Sequence, residues 1–100
     1  MNIKRNSKIL DSSLSENGIM RINLNNPNNL NALSENMIDL MQKYLDTAAL
    51  DKNVRVIIIS GEGPAFSSGH DLKELKAARN NPDKGVNFYN SIMKKCSKMM

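Results

Sequence analysis

Apolar and polar positions follow strand-like patterns over the first quarter of the chain. Residues 9–14 and 19–24 are predicted to be strands, and apolar and polar residues alternate in the second, as in a strand with one wet face. The Asn17-Gly18 pair between them is typical of a hairpin turn. Residues 1–8 are polar, and we expect them to form a loose N-terminal segment.

A helix and a third strand follow this hairpin. Residues 25–33 are rich in Asn and contain a proline, which predicts a loop. Ser34 is a candidate N-cap for a helix over residues 35–49, where apolar residues recur at helical spacing. Residues 54–60 form a strand that is apolar on both faces, and such strands are usually covered on both sides in parallel sheets. This order predicts a right-handed βαβ crossover.

Two further helices are predicted in the last third of the chain. Residues 72–79 form a short helix, in which Asp71 as N-cap and Glu74 three residues later match a capping box. A longer amphipathic helix starts near Val86 and includes Cys96, the only cysteine. We expect Cys96 to be a small buried residue rather than a nucleophile, and a single cysteine rules out an internal disulfide.

The domain organisation follows from length and pattern. The 100 residues suffice for one small domain, but the last helical pattern runs to the final residue without a stop signal. The central strand also requires more cover than so few elements supply. We therefore expect residues 9–100 to be the N-terminal part of a longer α/β domain, incomplete at its C-terminus. A complete small domain is the alternative.

Composition and charge exclude only a few classes of function. The net charge is +4, which favours anionic ligands, but the basic residues are dispersed and aromatic residues make up only 4%. Nucleic-acid binding is therefore not expected. No apolar run is long enough to span a membrane. The first ten residues are basic and lack acids; they resemble the end of a mitochondrial presequence but are too short to identify one.

The loop at residues 61–70 is the best candidate site, because ligands of α/β sheets bind beyond the carboxyl ends of strands. Ser68, His70 and Asp71 are too close in sequence to converge as a catalytic triad. One histidine beside one aspartate is also too small a set of ligands for a metal. Backbone chemistry is the more plausible use of this loop.

The glycines of this loop allow tight turns and bring main-chain N–H groups close to a ligand. If Asp71 caps the following helix, N–H groups near Gly69 and His70 are free to face a carbonyl oxygen that gains negative charge. A purely structural interpretation is the alternative: Asp71 caps, Gly69 forms the turn, and Phe66 fills the core.

Two stretches carry a family resemblance. "INLNNPNNLNALSENMIDLM" followed by "VRVIIISGEGPAFSSGHDLKEL" resembles the N-terminal part of the crotonase, or enoyl-CoA hydratase/isomerase, superfamily. Its members typically contain L-x-x-P-x-x-x-N-A-L and later F-S/C/A-x-G-x-D-L/I. Positions 24, 27, 31–33 and 66–72 fit that order, and the resemblance covers roughly residues 10–100. It implies an α/β fold built from ββα repeats.

The resemblance also implies a function. The family binds acyl-CoA thioesters as substrates, without a further cofactor or metal, and members usually form trimer-based homo-oligomers. Two backbone N–H groups stabilise an enolate-like oxygen; the first comes from the residue after the motif glycine, here His70. The substrate-binding positions that the resemblance implies are Asn29, Leu30, Ser68, Gly69, His70, Asp71, Leu72 and Lys73.

The departures from the family pattern leave catalysis open. Asn28 stands where many members carry Lys or Arg, which removes one phosphate contact. The second N–H donor and the two catalytic glutamates lie downstream in the family, and Glu35, Glu62 and Glu74 do not replace them by position. Two functions therefore remain as hypotheses. The first is an acyl-CoA enzyme of fatty-acid metabolism. The second is a catalytically inactive CoA-binding or regulatory relative, or a truncated product. A mitochondrial location is expected, with a cytoplasmic one as the alternative.

Overall fold

The computed structural model describes residues 9–100 and shows a three-stranded sheet packed beside helices. The sheet has the order β1-β2-β3, so β2 is central. The predicted N-terminal segment, residues 1–8, lies outside the described residues. The elements are β1 (Leu10–Leu14), β2 (Ile19–Leu24), a short 3-10 helix (Pro27–Asn29), α1 (Glu35–Leu50), β3 (Val56–Gly61), α2 (Leu72–Ala78) and α3 (Val86–Met99).

The predicted strand pairings are confirmed. β1 and β2 are antiparallel, with Leu14 opposite Met20. Gly18 ends the turn at a φ of +86°, a left-handed conformation that closes short hairpin loops. β3 runs parallel to β2, with Ile22 opposite Ile59, as a strand–helix–strand unit requires. The carboxyl ends of β2 and β3 therefore meet at the same edge of the sheet.

Helix α1 covers one face of the hairpin. The Ser34 Oγ accepts a hydrogen bond from the Met37 N–H at 3.1 Å, which confirms the predicted N-cap. Apolar residues of α1 meet the buried side of β1 and β2, because helical spacing places them on one stripe. The main core consists of Leu10, Met20, Ile22, Leu24, Met37, Met41 and Ala48.

Strand β3 lacks the cover that its apolar sequence requires, as expected for a chain with too few elements to supply it. Its apolar residues from Val56 to Ile59 are each 37–52% exposed within the described part of the chain. The physical reason is that β3 is an edge strand, paired only with β2, while α1 packs over the hairpin. Phe66 is 58% exposed, so the prediction that it fills the core is wrong. It lines an apolar cavity of about 380 Å³ together with Ile57 and Ile59.

Helix α3 packs across α1 through a small second core. Ile92 and the predicted buried Cys96 contact Ile38 there. At the rim, the Lys95 Nζ lies 2.8 Å from the Glu35 carboxylate and 3.3 Å from that of Asp39. The hydrogen bonds to Glu35 and then to Asp39 raise the pKa of Lys95 above its usual value. These contacts position α3 against the start of α1.

The turn between α2 and α3 depends on Gly85, and we predict that Gly85→Ala is destabilising. Gly85 has a φ of +89°, and an added Cβ would lie 3.1 Å from the Ala78 carbonyl carbon and oxygen. We expect urea unfolding to show a loss of about 2–3 kcal/mol. Gly69→Ala is the matched control, because Gly69 has a φ of +87° but nothing within 4 Å of its Cβ position. Equal losses in the two variants would contradict a packing contribution at Gly85.

Candidate functional site

The structure joins the two loops that the sequence singled out. Leu33 and His70 form a parallel bridge, in which the Leu33 N–H donates to the Gly69 carbonyl at 2.7 Å. The Ser68 N–H donates to the Leu30 carbonyl at 3.0 Å. The loop after β2 and the loop after β3 therefore form one surface, although nearly forty residues separate them in sequence.

Asn31 holds these loops together, and sequence reasoning assigned it no role. It is fully buried, with a φ of +53°. Its Oδ1 accepts from the Asn26 N–H at 2.7 Å, and its Nδ2 donates to the carbonyls of Glu62 and Ala65 at 2.8 and 3.0 Å. A Cβ at Gly61 would lie 2.9 Å from that Nδ2, so glycine is required beside it. In the sequence, the only indication of this role was that Asn31 falls within the motif that resembles the family.

Of the capping box predicted before α2, the N-cap role of Asp71 is confirmed, but the return bond from Glu74 is wrong. The Asp71 carboxylate accepts from the N–H groups of Lys73 and Glu74 at 3.0 and 3.4 Å. The Glu74 carboxylate does not return to Asp71, whose N–H already donates to the Leu33 carbonyl. It accepts from the Glu35 N–H at 2.9 Å instead, and so caps the neighbouring helix α1.

The side chains of Ser68, His70 and Asp71 do not form a triad, as the spacing predicted. The Asp71 Oδ2 accepts from the Asn29 Nδ2 at 3.0 Å rather than from the histidine. The His70 Nδ1 is buried and has no hydrogen-bond partner among residues 9–100. No proton relay therefore connects these three side chains.

The main-chain N–H of His70 is the distinctive donor of this loop. In the parallel bridge, the bonds of Leu33 go to Gly69 and Asp71, so the N–H of His70 lies on the opposite side of the strand. The Gly69 N–H is occupied by the Ser67 Oγ at 3.2 Å. Within the described chain, the His70 N–H has no acceptor. It is therefore available to a ligand.

A cavity of about 290 Å³ lies at this surface and gathers most of the predicted binding positions. Seven of the eight line it, and the eighth, Gly69, lies between two of them in sequence. At its rim, the Lys73 Nζ is 3.5 Å from the Asn29 Oδ1. The lining residues are Asn28, Asn29, Leu30, Ala32, Ser68, His70, Asp71, Leu72 and Lys73.

Neither a candidate metal site nor a candidate membrane-spanning helix is present among residues 9–100. There, no group of three His, Cys, Asp or Glu side chains is arranged to hold a metal ion. In the same part of the chain, no helix combines the length and the hydrophobicity needed to cross a bilayer.

Comparison with known proteins agrees with this fold. The family model described as enoyl-CoA hydratase/isomerase matches residues 15–98. The chain therefore belongs to the enoyl-CoA hydratase/isomerase family, and its α/β fold is the N-terminal part of the crotonase-like fold. The crystal structure of an enoyl-CoA hydratase from Mycobacterium smegmatis matches with a TM-score of 0.83 and 32% identity, over 93% of this chain and 34% of that one.

More specific relatives carry one name. The chain is 49% identical over 85 residues to the mitochondrial enoyl-CoA hydratase domain-containing protein 3 of Xenopus laevis, covering 85% of this chain and 27% of that protein. The human protein of the same name is 43% identical over 83 residues, covering 83% and 26%. The crystal structure of the human protein matches with a TM-score of 0.79 and 37% identity, over 92% of this chain and 34% of that one. The chain thus spans about a quarter to a third of these relatives.

Proposed function

We propose that this chain supplies the first part of an acyl-CoA site, in which the His70 N–H donates to the thioester oxygen. The observation that carries the proposal is this free N–H beside a cavity that two cross-linked loops form. A thioester oxygen gains negative charge when the α-carbon loses a proton or the double bond is attacked. A fixed backbone donor stabilises that charge without reorganisation.

The neighbouring groups suit the CoA part of such a substrate. Lys73 brings a cation to the cavity rim, and its partner Asn29 presents an amide in hydrogen bond to Asp71. Ser68 and Leu30 are exposed at the same surface. Ser68 can contact polar parts of the CoA molecule there, and Leu30 can contact apolar parts. A phosphate near Lys73 would form a charge-assisted hydrogen bond, which is stronger than a neutral one.

A second function, CoA binding without catalysis, is favoured by the positions of the carboxylates. Glu62 accepts from the Asn23 side chain at 2.7 Å, Glu74 accepts from the N–H of Glu35, and Glu35 pairs with Lys95. None of these three glutamates lines the cavity. The cavity lining therefore supplies an oxygen-binding donor, and its one carboxylate, Asp71, is already used to cap α2 rather than free for general acid–base work. A regulatory relative or a truncated product would have these properties.

Calorimetry with a short 2-enoyl-CoA tests the proposal, and we predict that Lys73→Ala weakens binding about tenfold. The loss corresponds to one charge-assisted phosphate contact of ~1.5 kcal/mol. Lys43→Ala is the matched control, because Lys43 is exposed on α1, outside the cavity. Equal losses in both variants would assign the effect to net charge. Absence of binding by the folded wild-type chain would overturn both candidate functions.

Cellular location and assembly belong to the same proposal. The names of the relatives include the word mitochondrial, which supports a mitochondrial location for the acyl-CoA function proposed here. Membership of the family supports trimer-based assembly of the whole protein. Fluorescence microscopy of the tagged full-length protein and its sedimentation velocity would test the two statements separately.

A further inference from the structure

A third cavity lies between α2 and the start of α3. It has a volume of about 540 Å³, within the usual range for small-molecule sites. Leu72 lines both this cavity and the candidate acyl-CoA cavity, so the two adjoin. Its walls are formed by Leu72, Leu75, Lys76, Arg79, Lys84, Gly85, Val86 and Tyr89.

The apolar part of this cavity is open to solvent rather than used for packing. Leu72 is 74% exposed, Val86 is 56% exposed and Tyr89 is 52% exposed. Val86 and Tyr89 lie in the first turn of α3. The same helix buries Ile92 and Cys96 and packs Phe88 against them, so only the side of the first turn that carries Val86 and Tyr89 is open. An aliphatic ligand would cover this surface.

The charged part of the cavity is entirely positive. Lys76, Arg79 and Lys84 line it, and none of the three forms an ion pair within residues 9–100. Lys84 has a φ of +59°, so the turn holds it in a left-handed conformation beside Gly85.

Three carboxylates near these cations in sequence form no ion pair with them within residues 9–100 and accept hydrogen bonds from main-chain N–H groups instead. Asp83 accepts from the N–H groups of Gly85 and Asn87, both at 2.9 Å. The bond from Asn87, and then that from Gly85, lower the pKa of Asp83. Asp71 caps α2, and Glu74 caps α1. The cavity therefore combines an apolar floor with three cations and no acid in its lining.

We propose that this α2–α3 cavity binds an aliphatic chain that ends in a carboxylate. The apolar residues Leu72, Val86 and Tyr89 would cover the chain, and the three cations would hold the anionic end. Because the site is concave, it suits one small molecule better than it suits the flat anionic surface of a larger partner. The carboxylate has two possible sources: a free fatty acid, or the far end of the acyl group of a CoA thioester. The second source rests on the proposed function, whereas the first does not.

NMR titration of the whole chain with octanoate and with octanol tests this site. We expect octanoate to bind at least tenfold more tightly than octanol, with amide shift changes concentrated around Lys84 and Val86. Lys84→Gly should weaken octanoate binding about fivefold, because glycine keeps the left-handed backbone and removes only the cation. The combined Lys76→Gln, Arg79→Gln and Lys84→Gly variant should remove the preference for octanoate.

The controls separate ligand binding from helix stability. Lys94→Gln removes an exposed cation from α3 outside the cavity and should leave the affinity for octanoate unchanged. Thermal melting of each variant identifies any that fails to fold, and the comparison of octanoate with octanol on the wild-type chain needs no variant. Equal affinities for the two ligands, or an equal loss with Lys94→Gln, would overturn the proposal.

Titration with CoA thioesters distinguishes the two sources of the carboxylate. CoA alone, octanoyl-CoA and the CoA thioester of an eight-carbon dicarboxylic acid are the three ligands. Tighter binding of the dicarboxylic thioester than of octanoyl-CoA, lost in the triple variant, would assign the cavity to an acidic acyl group. If octanoate binds at Lys84 and the CoA ligands do not bind, the free fatty acid is the source of the carboxylate. That result would count against the proposed acyl-CoA function but not against this cavity as a binding site.

Discussion

Asn31→Gly is expected to lower the free energy of unfolding by about 4 kcal/mol. Glycine tolerates the φ of +53°, so the change removes only the side chain and its hydrogen bonds. The Asn26 N–H and the carbonyls of Glu62 and Ala65 would then lose their partners. Each buried polar group left unpaired costs about 1–3 kcal/mol, less where water enters. Urea unfolding followed by circular dichroism measures the change.

Two comparison variants sharpen this prediction. Asn31→Ala should be worse than Asn31→Gly by about 1 kcal/mol, because alanine adds strain at a left-handed φ. Asn28→Ala removes an exposed Asn from the same loop and should change stability by less than about 0.5 kcal/mol. A loss below about 1 kcal/mol for Asn31→Gly would mean that the two loops are held together without this side chain.

Gly69→Val is expected to reduce acyl-CoA binding by at least tenfold, whereas His70→Ala should change it by less than about twofold. Gly69 has a φ of +87°, which a β-branched residue adopts only under strain of about 1–3 kcal/mol. No atom lies within 4 Å of its Cβ position, so the Cβ itself meets no neighbour and the expected effect comes from the backbone conformation. The altered loop would turn the His70 N–H away from the ligand.

An ester linkage between Gly69 and His70 isolates the donor itself. At 100 residues, the chain is accessible to chemical synthesis, and the ester removes the N–H while keeping the side chain. We expect calorimetry to show weaker binding of the thioester and unchanged binding of free CoA, because only the thioester oxygen uses this donor. A large loss with His70→Ala would instead assign the role to the imidazole ring, whose Nδ1 lacks a partner in the described structure.

Local features of the fold were predictable because they depend on neighbours in sequence. The start of α1 at Ser34 and the start of α2 at Asp71 followed from N-cap chemistry, and both caps are present. The parallel pairing of β2 with β3 followed from the order of strand, helix and strand. The positions proposed for acyl-CoA came from the family motif, and seven of the eight line one cavity.

Features that depend on distant residues were missed or predicted wrongly. The side chain of Glu74 caps the distant helix α1 rather than its own, because the bridge between Leu33 and His70 uses the Asp71 N–H and brings α1 next to α2. Phe66, and Val86 and Tyr89 at the start of α3, are apolar residues that remain exposed. Periodicity identifies which residues are apolar; it does not say which of them find a partner to pack against.

The sequence by itself determined the elements, their order, the two helix caps and the family, since each depends on short-range patterns or a motif. Only the tertiary structure decided that Asn31 links the two loops, that the N–H of His70 has no acceptor among residues 9–100, and that three cations line an open apolar cavity. The physical reason is the same in all three cases. Hydrogen-bond partners and uncompensated charges are set by which residues meet across the fold, and that information is not present in any single segment.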